Sequence, residues 1–138
     1  MNREILFRGK RVDNGEWIYG NLLTYPSGNA RISVTVRGKI PELYGLLEFV
    51  IPETVGQYIG LKDKNGKRIF EGDIAATNKF GALDIKYIIE YDVDIATYIG
   101  VCRQGCIENF TTFSGDADVF EIIGNIHDNP ELMKGAGG

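Results

Sequence analysis

A chain of 138 residues with 43% hydrophobic and 25% charged residues can bury a core of useful size and is too apolar for disorder; it has room for one domain, or one domain and a smaller β unit. Its formal charge of −4 argues against strong non-specific DNA binding. No apolar run approaches the roughly 20 residues that span a bilayer, and Met1-Asn2-Arg3-Glu4 lacks the order of a signal peptide, so the expectation is a cytoplasmic protein with no membrane contact.

The first strands are expected at residues 5–8 and 16–25, joined through Asp13-Asn14-Gly15, where Asn and Gly tolerate the positive φ of a hairpin turn. Trp17, Tyr19 and Tyr25 alternate on one face of the second strand. A small β domain needs large side chains to fill it, so Trp17 and Tyr19 are read first as core. Aromatics among cations can also stack bases and hold phosphates, and this segment carries Arg8, Lys10, Arg11, Arg31 and Arg37. Arg8, Arg11, Trp17, Tyr19 and Arg37 are therefore the candidate partner-binding residues. Residues 1–40 hold seven Lys/Arg against three Asp/Glu and residues 41–138 hold eight against sixteen, an asymmetry that suits an anionic partner or contact between neighbouring copies.

Strict alternation over residues 31–37 sets Ile32, Val34 and Val36 on one face. A further strand is expected at 46–51, and the shift from a basic to an acidic composition near Ile51-Pro52 marks a boundary. Pro52-Glu53-Thr54-Val55 can open a single helical turn. Residues 58–61 and 68–70 form the arms of a hairpin closed at Asn65-Gly66, and within the strand-rich stretch 68–76 Glu71-Gly72-Asp73 bends the chain into the next strand, Gly72 permitting the bend. Period-2 alternation returns over 84–94, where Ile85, Tyr87, Ile89, Tyr91 and Val93 share a face and Ile88 is the exception. Strands at 97–102 and 119–126 follow, then a short helix opened by Pro130 and a tail, 135–138, that cannot pack.

No constellation for catalysis emerges. The single histidine, His127, follows a strand and precedes a proline, which suits a turn. Cys102 and Cys106 are two ligands where a closed zinc site needs four, and a reducing compartment keeps them as free thiols. The alternating carboxylates Glu71/Asp73, Asp92/Asp94 and Asp116/Asp118 read as solvated edge charge in preference to a cation site. No cofactor, metal or enzymatic activity is expected.

Three ordered stretches carry a resemblance: Phe7-Arg8-Gly9-Lys10-Arg11 with Asn14-Gly15-Glu16-Trp17-Ile18-Tyr19-Gly20; the run from Pro52 through Gln57-Tyr58-Ile59-Gly60-Leu61-Lys62-Asp63 to Phe70-Glu71-Gly72-Asp73-Ile74; and Ile123-Gly124-Asn125-Ile126-His127-Asp128-Asn129-Pro130-Glu131-Leu132. Together they resemble the YopX family of phage and prophage proteins. The resemblance implies a phage-encoded protein, a C-terminal part similar to an SH3-like barrel, and a homo-oligomer; it transfers no catalytic residues. His127 stands where an aromatic is common in that family's terminal motif.

The reading is a mainly β protein: an N-terminal β unit at 1–51, an SH3-like small barrel at 52–134 and a flexible tail at 135–138. Its function is expected to be non-enzymatic, that of an oligomeric phage accessory or binding protein whose partner the sequence does not identify, a host or phage protein being one candidate. The alternative is a nucleic-acid-binding module built on the N-terminal cations and aromatics.

Overall fold

The computed structural model describes residues 4–34, 47–77, 85–102, 110–112 and 119–133. Eleven strands and two short 3-10 turns form the described residues, in two sheets, with no long helix. The mainly β class read from the alternation therefore holds. The chain divides into two compact units, residues 1–58 and 59–138, so the composition shift at Ile51-Pro52 falls inside the first.

Unit 1 holds β1 (Phe7–Lys10), β2 (Trp17–Thr24), β3 (Ala30–Val34) and β4 (Leu47–Val50), each antiparallel to the next. Gly15 takes φ 72° in the β1–β2 turn, the conformation for which the sequence offers glycine. The sheet curls until its two ends meet. Arg11 bridges Val50, Ile51 N–H donates to Lys10 O at 2.8 Å, and Val12 N–H donates to Phe49 O at 3.1 Å. Inside the curl Ala30, Ile32 and Val50 are buried, with Phe7, Ile18, Leu22 and Val55 packed against them. The curl is tight enough that a Cβ on Gly20 would collide with Ser33 O. The first 3-10 turn, Pro52–Thr54, is pinned to β1 by one hydroxyl: Thr54 Oγ1 donates to Ile51 O at 2.6 Å and accepts from Lys10 N at 2.9 Å.

β5 (Gly56–Lys62) starts in unit 1, where Gln57 and Gly56 pair with Phe7 and Arg8, and continues into unit 2, where β6 (Arg68–Phe70) is its next neighbour in the sheet. Unit 2 adds β7 (Asp73–Thr77), β8 (Ile85–Asp92), β9 (Thr97–Val101), β10 (Phe110–Thr112) and β11 (Glu121–Asn125), ordered β10-β9-β8-β7-β11 and antiparallel throughout. The stretch 68–76 is two strands, and the bend expected at Glu71-Gly72-Asp73 separates them, with Gly72 at φ 88°. Gly72 N–H donates to Ile89 O and Gly72 O accepts Ile126 N–H, each at 2.9 Å, so the bend is also a junction. The core is Ile69, Ala75, Tyr87, Ile89, Cys102, Phe120 and Ile122, with Tyr87 and Phe120 edge-to-face at 5.8 Å. Ile88, the residue that broke the alternation, is buried on the opposite face of β8, paired between Ile74 and Val101. Both faces of this sheet are therefore apolar at its centre.

One expectation is corrected here. Cys102 is disulfide-bonded, not a free thiol, and it is buried in the core of unit 2. The only other cysteine of the sequence, Cys106, lies outside the described residues.

Candidate functional site: an outward belt of aromatics and cations

Register decides which side chains face out. In unit 1 the pairs Lys10–Trp17, Arg8–Tyr19, Leu23–Arg31 and Arg31–Phe49 lie opposite each other, on the face turned away from Ile18, Leu22, Ile32 and Val50. Trp17 and Tyr19 are thus on the outside of the curl and not in its core, contrary to the first reading. Tyr19 and Phe49 are 44% and 45% exposed, and Val12, beside Phe49 through its backbone bond, is 62% exposed. Tyr25 falls past the end of β2, in the turn closed by its own N–H to Asn29 O at 3.0 Å.

The cations divide into three kinds. The Arg8 guanidinium lies 4.6 Å from the centre of the Trp17 ring, and its residue is 6% exposed. It serves as the underside of the indole, with the Lys10 ammonium 5.5 Å from the same ring. Arg11 is turned to Asp13, which it grips through Nε at 2.9 Å and Nη2 at 2.7 Å, with Glu48 at 3.5 Å. The hydrogen bonds that Arg11 donates to Asp13 raise the Arg11 pKa and hold the Asp13 carboxyl below its usual value. Arg31 lies 4.1 Å over the Phe49 ring, and among the described residues it makes no ion pair and its buried Nε has no hydrogen-bond partner. Of the five candidate residues, Arg8, Trp17 and Tyr19 come together on the belt, Arg11 turns away from it, and Arg37 lies outside the described residues. Sequence reasoning missed Phe49 and Val12 as members and left Arg31 in the background.

The carboxylates do other work. Asp63, buried in the β5–β6 turn, accepts N–H groups from Asn65 and Lys67 on Oδ1 and from Ile122 on Oδ2, all at 2.9 Å. Burial pushes this carboxyl up, and the donors at Ile122, Lys67 and Asn65 together with the Lys67 charge more than reverse the effect, leaving it below the usual range. Asp73 Oδ2 accepts Phe70 N–H at 2.8 Å inside the β6–β7 bend. Asp92 Oδ1 accepts Asp94 N–H at 2.9 Å, so this pair builds a turn and does not share a strand face. Asn125 Oδ1 accepts the N–H groups of His127 and Asp128, each at 2.9 Å, which places His127 in the turn after β11. Among the described residues no cluster of three or more His, Cys, Asp or Glu could hold a metal ion, and no helix is long and apolar enough to cross a membrane.

Unit 1 is thus a curled sheet whose outer face carries aromatic, apolar and cationic side chains. The family model described as YopX protein matches residues 6–134, nearly the whole chain, and the protein belongs to the YopX family. Its fold is similar to that in the crystal structure of protein EF1440 from Enterococcus faecalis, with a TM-score of 0.52 and 24% identity over 96% of this chain and 100% of that one. No curated protein matches the chain.

Proposed function

We propose that this protein is a non-enzymatic, phage- or prophage-encoded accessory protein of the bacterial cytoplasm that acts by binding other proteins through the outer belt of unit 1 and self-associates into a homo-oligomer. The observation that carries the reading is the exposure of Tyr19 and Phe49 on a face the fold does not use as core, with Val12 exposed in the turn bonded to Phe49. Exposed large apolar side chains gathered on one face mark interaction sites more often than isolated ones do. The position of the only histidine, in a turn held by Asn125, supports a role without acid–base chemistry, and no cofactor is called for.

Nucleic acid is the weaker occupant on this geometry. Phosphate-backbone binding needs several presented cations, whereas Arg8 is buried under an indole and Arg11 is held by Asp13 and Glu48, which leaves Lys10 and Arg31 among the described cations of the belt. The test is sedimentation of the full chain alongside titration with a single-stranded oligonucleotide, for the wild type and for Tyr19→Ala with Phe49→Ala. A lower mass in the variant, without oligonucleotide binding by either, is the expected result. Salt-sensitive micromolar oligonucleotide binding, lost in the variant at unchanged mass, would replace this reading with the nucleic-acid one.

A further inference from the structure

The β8–β9 hairpin ends in a tip where Asp92 caps the turn by accepting Asp94 N–H, but whose apolar residues local folding does not explain. Asp92 pairs with Thr97, so Val93, Asp94, Ile95 and Ala96 form the loop. Hairpin loops of this length favour Gly, Asn, Asp and Ser, yet this one presents Val93 at 79% exposure and Ile95 at 52%, with Tyr91 at 44% just below them. Ala96 takes φ 52°, a left-handed conformation for which glycine is the ordinary choice. Two exposed apolar side chains on a backbone-strained loop, with a third, Tyr91, on the strand below it, break the local rules together, and rules are broken in this way where a surface has a task. Asp92 and Asp94 frame the apolar residues, and the segment from Tyr91 to Tyr98 contains no Lys or Arg. The tip is an apolar knob with an acidic collar.

The belt of unit 1 has the complementary character. On the outer face of β1–β4, Lys10, Trp17, Tyr19, Arg31 and Phe49 are exposed or half-buried, Arg8 and Ser33 are buried, and no carboxylate among the described residues shares the face. Arg31 is a cation stacked on an exposed ring with no ion pair among the described residues. We infer that the β8–β9 tip of one copy docks on the aromatic–cationic belt of a second copy, with Val93 and Ile95 against Tyr19 and Phe49, and Asp92 and Asp94 towards Lys10 and Arg31. This inference rests on the proposed function and names the occupant of its surface. Because knob and belt are different patches of the same chain, the contact is head-to-tail, and repeating it closes a ring or extends a filament. Each copy uses both surfaces, so one arrangement accounts for the exposure of each.

The test is the sedimentation mass of the full-length protein with charge swaps. Asp92→Lys with Asp94→Lys, and separately Lys10→Glu with Arg31→Glu, should each shift the mass of the wild-type assembly towards that of the 15.3 kDa chain. All four substitutions in one chain restore attraction with the signs exchanged and should recover the assembly, which also shows that the substituted belt still folds. Val93→Ser with Ile95→Ser should lower the mass without changing charge. If belt substitutions lower the mass and tip substitutions do not, the belt binds some other part of the copy, and the docking inference falls while the proposed function stands. If both pairs lower the mass and the four-fold swap does not recover it, the two surfaces do not meet and the inference is equally overturned. A wild type that sediments as a single chain overturns both readings.

Discussion

Asp63 and Ile122, fifty-nine residues apart in sequence, are joined by a 2.9 Å hydrogen bond from the Ile122 backbone to a buried carboxylate oxygen. The turn that looks local in the sequence is thus the fastening of the last strand. Lys64 N–H adds a second link by donating to Phe120 O at 2.9 Å.

Replacing Asp63 by Ala leaves three backbone N–H groups without their acceptor. At roughly 1–3 kcal/mol per unsatisfied buried group, partly relieved by water at the turn, a loss of about 2–4 kcal/mol is expected in urea unfolding. The pH dependence follows from the lowered carboxyl. A depressed folded-state pKa contributes stability that is fully present above the unfolded value, near 4, and is lost as pH falls through the folded value. The wild type should therefore weaken in acid below about pH 4 more steeply than Asp63→Ala does. Parallel acid profiles for the two proteins would remove Asp63 as the cause.

Gly72 is the second fastening. At φ 88° with both its N–H and its C=O engaged, it occupies backbone space that a β-branched residue enters only under strain. Gly72→Val should cost roughly 1–3 kcal/mol, read as a lower denaturant midpoint. An unchanged midpoint would mean that the bend relaxes freely.

Much of this framework is legible in the sequence because it is local chemistry. Asn14-Gly15 and Asn65-Gly66 announce turns, and both glycines take positive φ. Alternation marks β8, and Pro52 and Pro130 each open a 3-10 turn. What alternation cannot say is which face is inside. On β2 both faces are apolar, Trp17, Tyr19 and Leu23 on one and Ile18 and Leu22 on the other, and only pairing with Ile32 and Val50 through the curl selects the second set as core. Side-chain volume pointed the wrong way, since the larger aromatics are outside. Counting charges fails similarly: Arg8 and Arg11 look equivalent in the sequence, but one is stacked under Trp17 and the other is held by Asp13. The three-residue β10 carries no pattern of its own and exists as a partner of β9.

The disulfide at Cys102 gives a chemical test. Denatured without reductant, the protein should show no titratable thiol, and after reduction two. Reduction should also lower the melting temperature, since Cys102 belongs to the unit 2 core and a cross-link limits the freedom of the unfolded chain. Two thiols titrating before reduction would return the pair to the free state expected of a reducing compartment.

Gly20 tests the tightness of the unit 1 curl. A methyl group there meets the Ser33 carbonyl oxygen, and Ile32 Cγ2 lies 3.2 Å away, so backbone has to move. Gly20→Ala should destabilise by roughly 1–3 kcal/mol, the range for overpacking a closed interior. A neutral result would show that β2 and β3 separate easily at this point.

Ala96 makes the converse case, a residue where glycine should be better for folding. Its left-handed backbone costs about 1–2 kcal/mol relative to the ordinary region. Glycine removes that strain and returns roughly 0.4–1 kcal/mol of it through the greater freedom of the unfolded chain. Strain exceeds entropy on these magnitudes, so Ala96→Gly should raise stability by about 0.5–1 kcal/mol, a few degrees in the melting temperature of a domain of this size. The side chain is exposed, so its removal takes no packing from the core and the two backbone effects decide the sign. A melting temperature that falls on this substitution would show that the Ala96 methyl contributes to holding the tip, and that the left-handed turn costs this loop less than the unfolded chain gains from glycine.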